Sequence, residues 1–282
     1  MPTRAQAARC ETVARMAPPV LRGHTIGYGS FRSADGRAIA HRLLPISLAA
    51  LVVDLASAKA VVTGPRASSG TDGETTWGCG VSIGLTPAGV AALLGVPMRE
   101  LTARSLLLED LVGRRAAAEL PERLAEAPDW PARFRLLDTL LTHRLGRHAP
   151  ARDPHAPTGE PHAPAGVPRG REGELVMVAW GYLQRGGGRL RVGDLAARLG
   201  VGRRGLEREF RAAFGLSPGV VGRIARFQRA LALVQRGLGF AEVAAVGGYA
   251  DQAHFTREMR AMAGITPGEL RAIVQDPGTT GA

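Results

Sequence analysis

Apolar residues recur at helical spacing through the last third of the chain. Leu206, Phe210 and Phe214 stand at i, i+4 and i+8, and Phe255, Met259 and Met262 at i, i+4 and i+7. Each is the one-sided stripe of an amphipathic helix. The sequence around these stripes repeats. Leu206-Glu207-Arg208-Glu209-Phe210 is followed after a gap by Gly215-Leu216-Ser217-Pro218, and Phe255-Thr256-Arg257-Glu258-Met259 by Gly264-Ile265-Thr266-Pro267 at the same spacing. A short helix precedes each copy. One covers Asp194 to Leu199 and closes on Gly200; the other is lined by Phe240, Val243 and Ala244 and closes on Gly248. Glycine ends helices because it enters the left-handed region without steric cost. Each copy therefore reads as a helix-turn-helix, and the pair as a duplicated supersecondary unit. Ser217-Pro218 and Thr266-Pro267 each predict a hydroxyl N-cap with proline at N1 of a further helix. Between the copies, Val220, Ile224, Phe227, Leu231 and Val234 form the buried stripe of one long helix from Pro218 to about Arg236. Arg223, Arg226 and Arg229 stand largely outside that stripe.

The first half of the chain changes period. Thr25 to Phe31 alternates, Asp35-Gly36 marks a turn, and Leu48 to Leu55 is the most apolar run of this half. Ala60 to Thr63 and Trp77 to Leu85 complete a set of about five short strands. Thr86-Pro87 then opens a helix running to Gly95. Arg114 to Ala125 and Pro131 to Leu145 are amphipathic helices, and 102–111 is ambiguous. Strands followed by helices predict an α+β domain built on short antiparallel strands, a sheet or partial barrel.

Domain boundaries follow from composition. Residues 1–20 read as loosely ordered, 21–146 as the α+β domain, 172–275 as the all-α double helix-turn-helix domain, and 276–282 as a tail. Residues 147–171 hold six prolines and three histidines, a composition that cannot form a core. Pro154-His155-Ala156-Pro157 recurs as Pro161-His162-Ala163-Pro164; a proline-stiffened spacer is a better reading than a metal site.

In helix-turn-helix proteins the second helix enters the major groove. Two such helices on one rigid body can read two major-groove segments one turn, about 34–36 Å, apart. Residues 172–275 resemble the AraC/XylS-type DNA-binding domain of bacterial transcription regulators. The resemblance is carried by Leu195-Ala196, Gly200, Leu206 to Phe210, Gly215 to Pro218, Gly248-Tyr249, His254 to Arg257 and Gly264 to Pro267. Gly202 stands where the family usually has a capping residue, and Tyr249 and Met259 where it usually has Phe. The α+β half resembles, through Thr86-Pro87 to Pro97 and Glu100-Leu101, the sensory domains that precede such modules. That implies sensing or dimerisation and names no ligand.

Charge and cysteines add little to this picture. The formal net charge is +11, almost all of it arginine, which suits a polyanionic partner; the excess is not concentrated in the C-terminal third. No secretory signal and no membrane-length apolar run is evident, so a cytoplasmic location is expected. Cys10 and Cys79 are too few and too far apart for a disulfide framework, zinc or redox motif, so no cofactor or metal is expected. Cys79, in phase with Trp77 and Val81, reads as a core thiol. Tyr28, His41, Asp54 and Trp77 could line a cavity or only pack.

The resemblance assigns base contacts to Arg204, Glu207 and Arg208 of the first recognition helix and to Gln252, Ala253, Thr256 and Arg257 of the second. Arginine can grip guanine, glutamine adenine, and a methyl group thymine. Arg203, Arg211, Ser217, His254 and Thr266 are backbone candidates, the hydroxyl residues through the helix N-termini they begin. Glu207 and Glu258 alternatively only orient neighbouring arginines. The expectation is a non-enzymatic, sequence-specific transcription regulator of promoter DNA. The resemblance implies activation through RNA polymerase, with repression open, and leaves a small-molecule effector and a homodimer open. Two rivals remain: an enzyme or DNA-repair protein with an appended DNA module, and a ligand-independent dimeric DNA-binding protein.

Overall fold

Mostly buried runs, with alternation clearest over Cys79–Leu85, build the N-terminal sheet. The computed structural model of the chain describes residues 10–33, 39–40, 43–70, 76–148 and 171–275. The strands are β1 (Cys10–Met16), β2 (Thr25–Ser33), β3 (Ile39–Ala40), β4 (Ala49–Asp54), β5 (Lys59–Thr63), β6 (Thr76–Trp77), β7 (Cys79–Leu85) and β8 (Ser105–Leu107). Six of them pair antiparallel in the order β1-β2-β7-β4-β5-β8, and β3 pairs with β6. Register sets one apolar row across the sheet: Tyr28 lies opposite Ile83, Ile83 opposite Leu51, and Leu51 opposite Val62. All four are buried, and cross-strand packing of this kind is what stabilises a sheet.

Helices cover that row. They are α1 (Pro87–Leu94), α2 (Leu108–Val112), α3 (Arg114–Glu126) and α4 (Trp130–His148). The α1 signals behave as their chemistry requires. Thr86 accepts the Gly89 N–H at 3.1 Å, Pro87 is at N1, and Gly95 closes the helix at φ 75°. The ring of Tyr28 stacks on Phe134 of α4 at 5.7 Å, and its hydroxyl donates to Asp138 Oδ1 at 2.8 Å. Arg15 of β1 pairs with the same carboxylate. Burial, then Asp138, pushes the Tyr28 phenol far above its usual range.

The C-terminal part is all-helical: α5 (Arg171–Arg185), α6 (Val192–Arg198), α7 (Arg203–Phe214), α8 (Pro218–Gln235), α9 (Phe240–Gly247), α10 (Gln252–Ala263) and α11 (Pro267–Gln275). The first unit is α6–α7, the second α9–α10, and α8 joins them. The apolar interior divides unevenly. One continuous core runs from the N-terminal sheet through Leu195, Leu206, Phe210 and Phe214 to Val221. A second holds Ile224 to Val234 of α8 with Val243, Phe255, Met259 and Leu270. The N-terminal part also bonds directly to the helices. Ser47 Oγ accepts from Trp180 Nε1 at 3.0 Å and Gln184 Nε2 at 3.2 Å, the Pro45 carbonyl accepts from Gln228, and the Ser69 N–H donates to the Met262 carbonyl.

Two expectations need correction, and one open stretch is settled. Residues 10–16 are not loosely ordered: they form edge strand β1, and Leu21 is fully buried. The ambiguous stretch resolves into β8, paired with β5, followed directly by α2. Trp77 and Cys79 do not share one alternating strand. The chain breaks at Gly78, Trp77 pairs with Ile39 in the small sheet, and Cys79 is only half-buried. Among the described residues, Tyr28, Asp54 and Trp77 make packing or turn contacts. Asp54 accepts from Ala56 and Ser57 to hold a turn, and Trp77 packs on Phe31. His41 and most of the proline-rich stretch fall outside the described residues.

Candidate nucleic-acid interface

The first recognition helix, α7, divides cleanly by face. Leu206, Phe210, Ala213 and Phe214 are buried, while Arg203, Arg204, Arg208 and Arg211 are exposed. Gly215 stops the helix at φ 69°. Glu207 sits between Arg203 (3.0 Å) and Arg211 (4.0 Å), each one turn away. Arg208 pairs with its neighbour Glu209 at 3.0 Å and its side chain is 74% exposed. Such surface pairs are worth about 0–1 kcal/mol, so Arg208 can leave Glu209 for a nucleic-acid acceptor at little cost. The face is a fixed array of guanidiniums with Glu207 at its centre.

The second recognition helix, α10, is built differently. Asp251 caps it, accepting the His254 N–H at 2.6 Å. His254 Nδ1 in turn accepts the Ala250 N–H at 3.2 Å, and its ring meets Tyr249 edge-on at 5.5 Å. His254 therefore closes the turn that aims α10. Gln252, Ala253 and Arg257 are exposed; Thr256 is half-buried, and its hydroxyl donates to the Gln252 carbonyl at 2.9 Å. Glu258 turns away from this face and is 9% exposed. It accepts from Arg223 Nε at 2.8 Å, and Arg226 Nε lies 3.4 Å from its other oxygen without hydrogen-bond geometry. Arg226 also stands over the Tyr249 ring at 5.4 Å. Burial, then Glu258, holds the Tyr249 phenol far above its usual range. This partly buried cluster ties α10 to α8.

The two hydroxyl caps occupy their expected positions. Ser217 Oγ accepts the Val220 N–H at 3.3 Å. Thr266 and Glu269 form a reciprocal capping box, the Thr266 N–H donating to Glu269 at 2.6 Å and the Glu269 N–H to Thr266 Oγ1 at 3.2 Å. A carboxylate thus already occupies the N-terminus of α11, which disfavours a phosphate there.

A basic cleft of about 710 Å³ lies between the units. Its wall holds Arg189, Arg191, Arg203 and Arg226 against one acid, Asp194, with Gly248 opposite. Arg203 begins α7, and Gly248 ends the helix before α10. The Arg189 guanidinium donates to the Val246 carbonyl, tying the loop after α5 to α9. Its loop is held against α8 by Gly188 (φ 68°), where a Cβ would meet the Gly222 carbonyl oxygen at 1.8 Å. Sequence reasoning missed Arg189 and Arg191. The visible signal was a glycine triplet, 186–188, followed by two arginines around Leu190.

Residues 195–273 match the family model described as a helix-turn-helix domain. They form an AraC-type helix-turn-helix domain. The match covers a little over a quarter of the chain. Among solved structures, the C-terminal domain of AraT, a response regulator from Geobacillus stearothermophilus, is 25% identical, covering 36% of this chain and 87% of that one, with a TM-score of 0.34. ToxT from Vibrio cholerae O395 is 14% identical over 97% of this chain and 99% of its own, with a TM-score of 0.40. ToxT bound to (E)-4-(8-methylnaphthalen-1-yl)but-3-enoic acid is 13% identical over 94% and 99%, with a TM-score of 0.41. No curated protein matches the chain. Among the described residues no helix is long and apolar enough to cross a membrane, and no cluster of His, Cys, Asp or Glu could hold a metal ion.

Proposed function

We propose that the AraC-type domain reads a promoter site spanning two adjacent major-groove segments, one with α7 and one with α10. The observation that carries this is the pairing of two exposed faces on one scaffold. Arg208 and Arg257 occupy the same repeat position, each opposite a buried stripe, and both helices pack on α8. Arg204, Glu207 and Arg208 then meet one set of base edges, and Gln252, Ala253, Thr256 and Arg257 the other. Arg203 and Arg211 flank the first set as phosphate contacts. His254 and Ser217 act mainly by shaping the turn and the cap.

Between two major-groove segments on one face of a duplex, the intervening minor groove and its phosphates face the protein. The Arg189–Arg191 cleft lies at that position, bounded by the start of α7 and the turn before α10, and its excess of positive charge suits phosphodiesters. The N-terminal α+β domain modulates the reading in response to a small-molecule effector. Its contacts with α5, α8 and α10, at Ser47, Pro45 and Ser69, support that coupling. Activation through RNA polymerase is the expected output.

Selection of sites from random duplex DNA by the full-length chain tests this reading. Two short conserved blocks about one helical turn apart are expected. Binding without any motif, collapsing with salt, would contradict base reading and leave only charge. With the selected site, Arg189→Ala and Arg191→Ala should each lower the salt slope by about one and weaken all sequences alike. An unchanged slope in both variants removes the cleft from the interface.

A further inference from the structure

Both recognition helices end against the N-terminal domain. The last four carbonyls of a helix have no donor within it, and here two of them find one outside the helical part. Thr102 Oγ1 donates to the Phe214 carbonyl of α7 at 3.4 Å. The Ser69 N–H donates to the Met262 carbonyl of α10. At α7 the approach is also steric. A Cβ on Gly215 would lie 1.9 Å from Thr102 Oγ1 and 3.1 Å from the Arg99 Cα. Arg99 belongs to the 3-10 turn Met98–Leu101, which packs on α7.

The two contacts belong to one small body. The chain leaves β5 at Gly64 and reaches Ser69 five residues later. On the way it is bonded to the segment that holds Thr102. The Gly64 N–H donates to the Arg104 carbonyl at 2.9 Å, the Ala103 N–H to the Pro65 carbonyl at 2.8 Å, and the Arg66 guanidinium to Ser105 Oγ at 3.2 Å. A Cβ on Gly64 would meet the Leu101 carbonyl oxygen at 1.7 Å, so the two backbones touch. Ala103 is held at φ 57°, a conformation that persists only where the surroundings impose it. On its other side the segment pairs with residues 43–46, Ile46 with Arg66 and Leu43 with Gly70. From there the Pro45 carbonyl accepts from Gln228 of α8 at 3.3 Å, and Leu44 packs on the second core.

Within the helical part the units are joined less directly. Of the buried residues of α8, Val221 belongs to the first core and Ile224 to the second, so the boundary between the cores crosses that helix. We propose that the N-terminal domain sets the gap, in base pairs, between the two DNA segments that α7 and α10 read. Residues 64–70 and 98–105 form a rigid gauge: one end stops α7, the other stops α10, and their separation is built into the sheet. Gly64, Ser69 and Thr102 are positioning residues that fix spacing without touching a base. This rests on the double major-groove reading above. One added base pair moves the second segment by about 3.4 Å and turns it by about 35° around the duplex axis. A protein that cannot follow must abandon one set of base edges or twist the DNA.

The test makes two measurements on the full-length chain. In the first, the selected site is rebuilt with its gap one base pair longer or shorter. The unsubstituted chain should lose at least ten-fold in affinity for either change. Gly64→Ala, whose new methyl group meets Leu101 and forces the two backbones apart, should shrink that loss at least three-fold, and so should Thr102→Ala. Base preference inside each block should stay as it was. A general loss of stability would instead weaken binding at every gap alike. In the second, without DNA, spin labels at Arg208→Cys and Arg257→Cys, on a Cys10→Ser, Cys79→Ser background, report the distance from α7 to α10. One narrow distribution is expected, at least doubled in width by Gly64→Ala or Thr102→Ala. An unchanged gap penalty in both folded variants overturns the proposal and assigns the spacing to α8 alone. Should Gly64→Ala not fold, Thr102→Ala decides. A chain that selects no sequence contradicts the major-groove reading; unchanged label distances would then overturn the gauge as well, and broadened ones would uphold it as a mechanical link between the units.

Discussion

The two helix-turn-helix units descend from one sequence pattern yet are held in place by different means. In the first, α7 belongs to the same apolar core as the N-terminal sheet, and its C-terminus rests on Thr102. Its start has no side-chain cap, because Gly202 offers none. In the second, α10 has a core of its own, an Asp251 cap, and a partly buried bridge from Glu258 to Arg223 and Arg226. The glutamates at the equivalent repeat position show the difference most sharply. Glu209 pairs with the exposed Arg208 beside it, whereas Glu258 reaches across to α8. The second unit is thus fixed to the scaffold helix, whereas the position of the first depends on the N-terminal domain.

The largest test of that contrast is a pair of matched variants. Removing a partner from a buried ion pair costs about 3–5 kcal/mol; solvent around Arg223 reduces this, so Glu258→Ala should lose about 2–3 kcal/mol in urea unfolding. Glu209→Ala, breaking a surface pair, should lose about 0.5 kcal/mol or less. Equal losses would erase the distinction between the units. Next come the recognition arginines. Arg208→Ala and Arg257→Ala should each weaken binding to the selected site by about 1–3 kcal/mol and relax base preference only in their own half. Wild-type affinity in both would refute the docking of α7 and α10. The caps give the smallest effects. Asp251→Ala should lose about 1 kcal/mol of stability, and Gly202→Ser should gain a few tenths. A larger effect at 202 than at 251 would mean the first unit is the less well anchored by its other contacts.

Much of the helical part was legible in the sequence, for local reasons. Gly200, Gly215, Gly248 and Gly264 end helices or their turns in the left-handed region, and Thr86, Ser217 and Thr266 cap the helices that follow them. Strand β1 was not legible. Almost all of its described positions are exposed, so it carries no period-2 burial signal; only pairing with β2, distant in sequence, makes it a strand. Residues 105–112 were ambiguous for the same reason, since β8 exists through β5. The Arg189–Arg191 cleft escaped notice because its walls come from four separate segments.

The sequence by itself determined that two helix-turn-helix units exist, where several of their helices stop, and which face of the main helices is buried, because capping, glycine conformation and 3.6-residue periodicity act within a few residues. Only the tertiary structure decided that Glu258 serves α8 and not DNA, that the first unit shares its core with the sheet, and that the short segment 64–70 links the contacts on α7 and α10. Those facts depend on which distant surfaces meet, and the free energy of such meetings is a property of the assembled packing that no local pattern encodes.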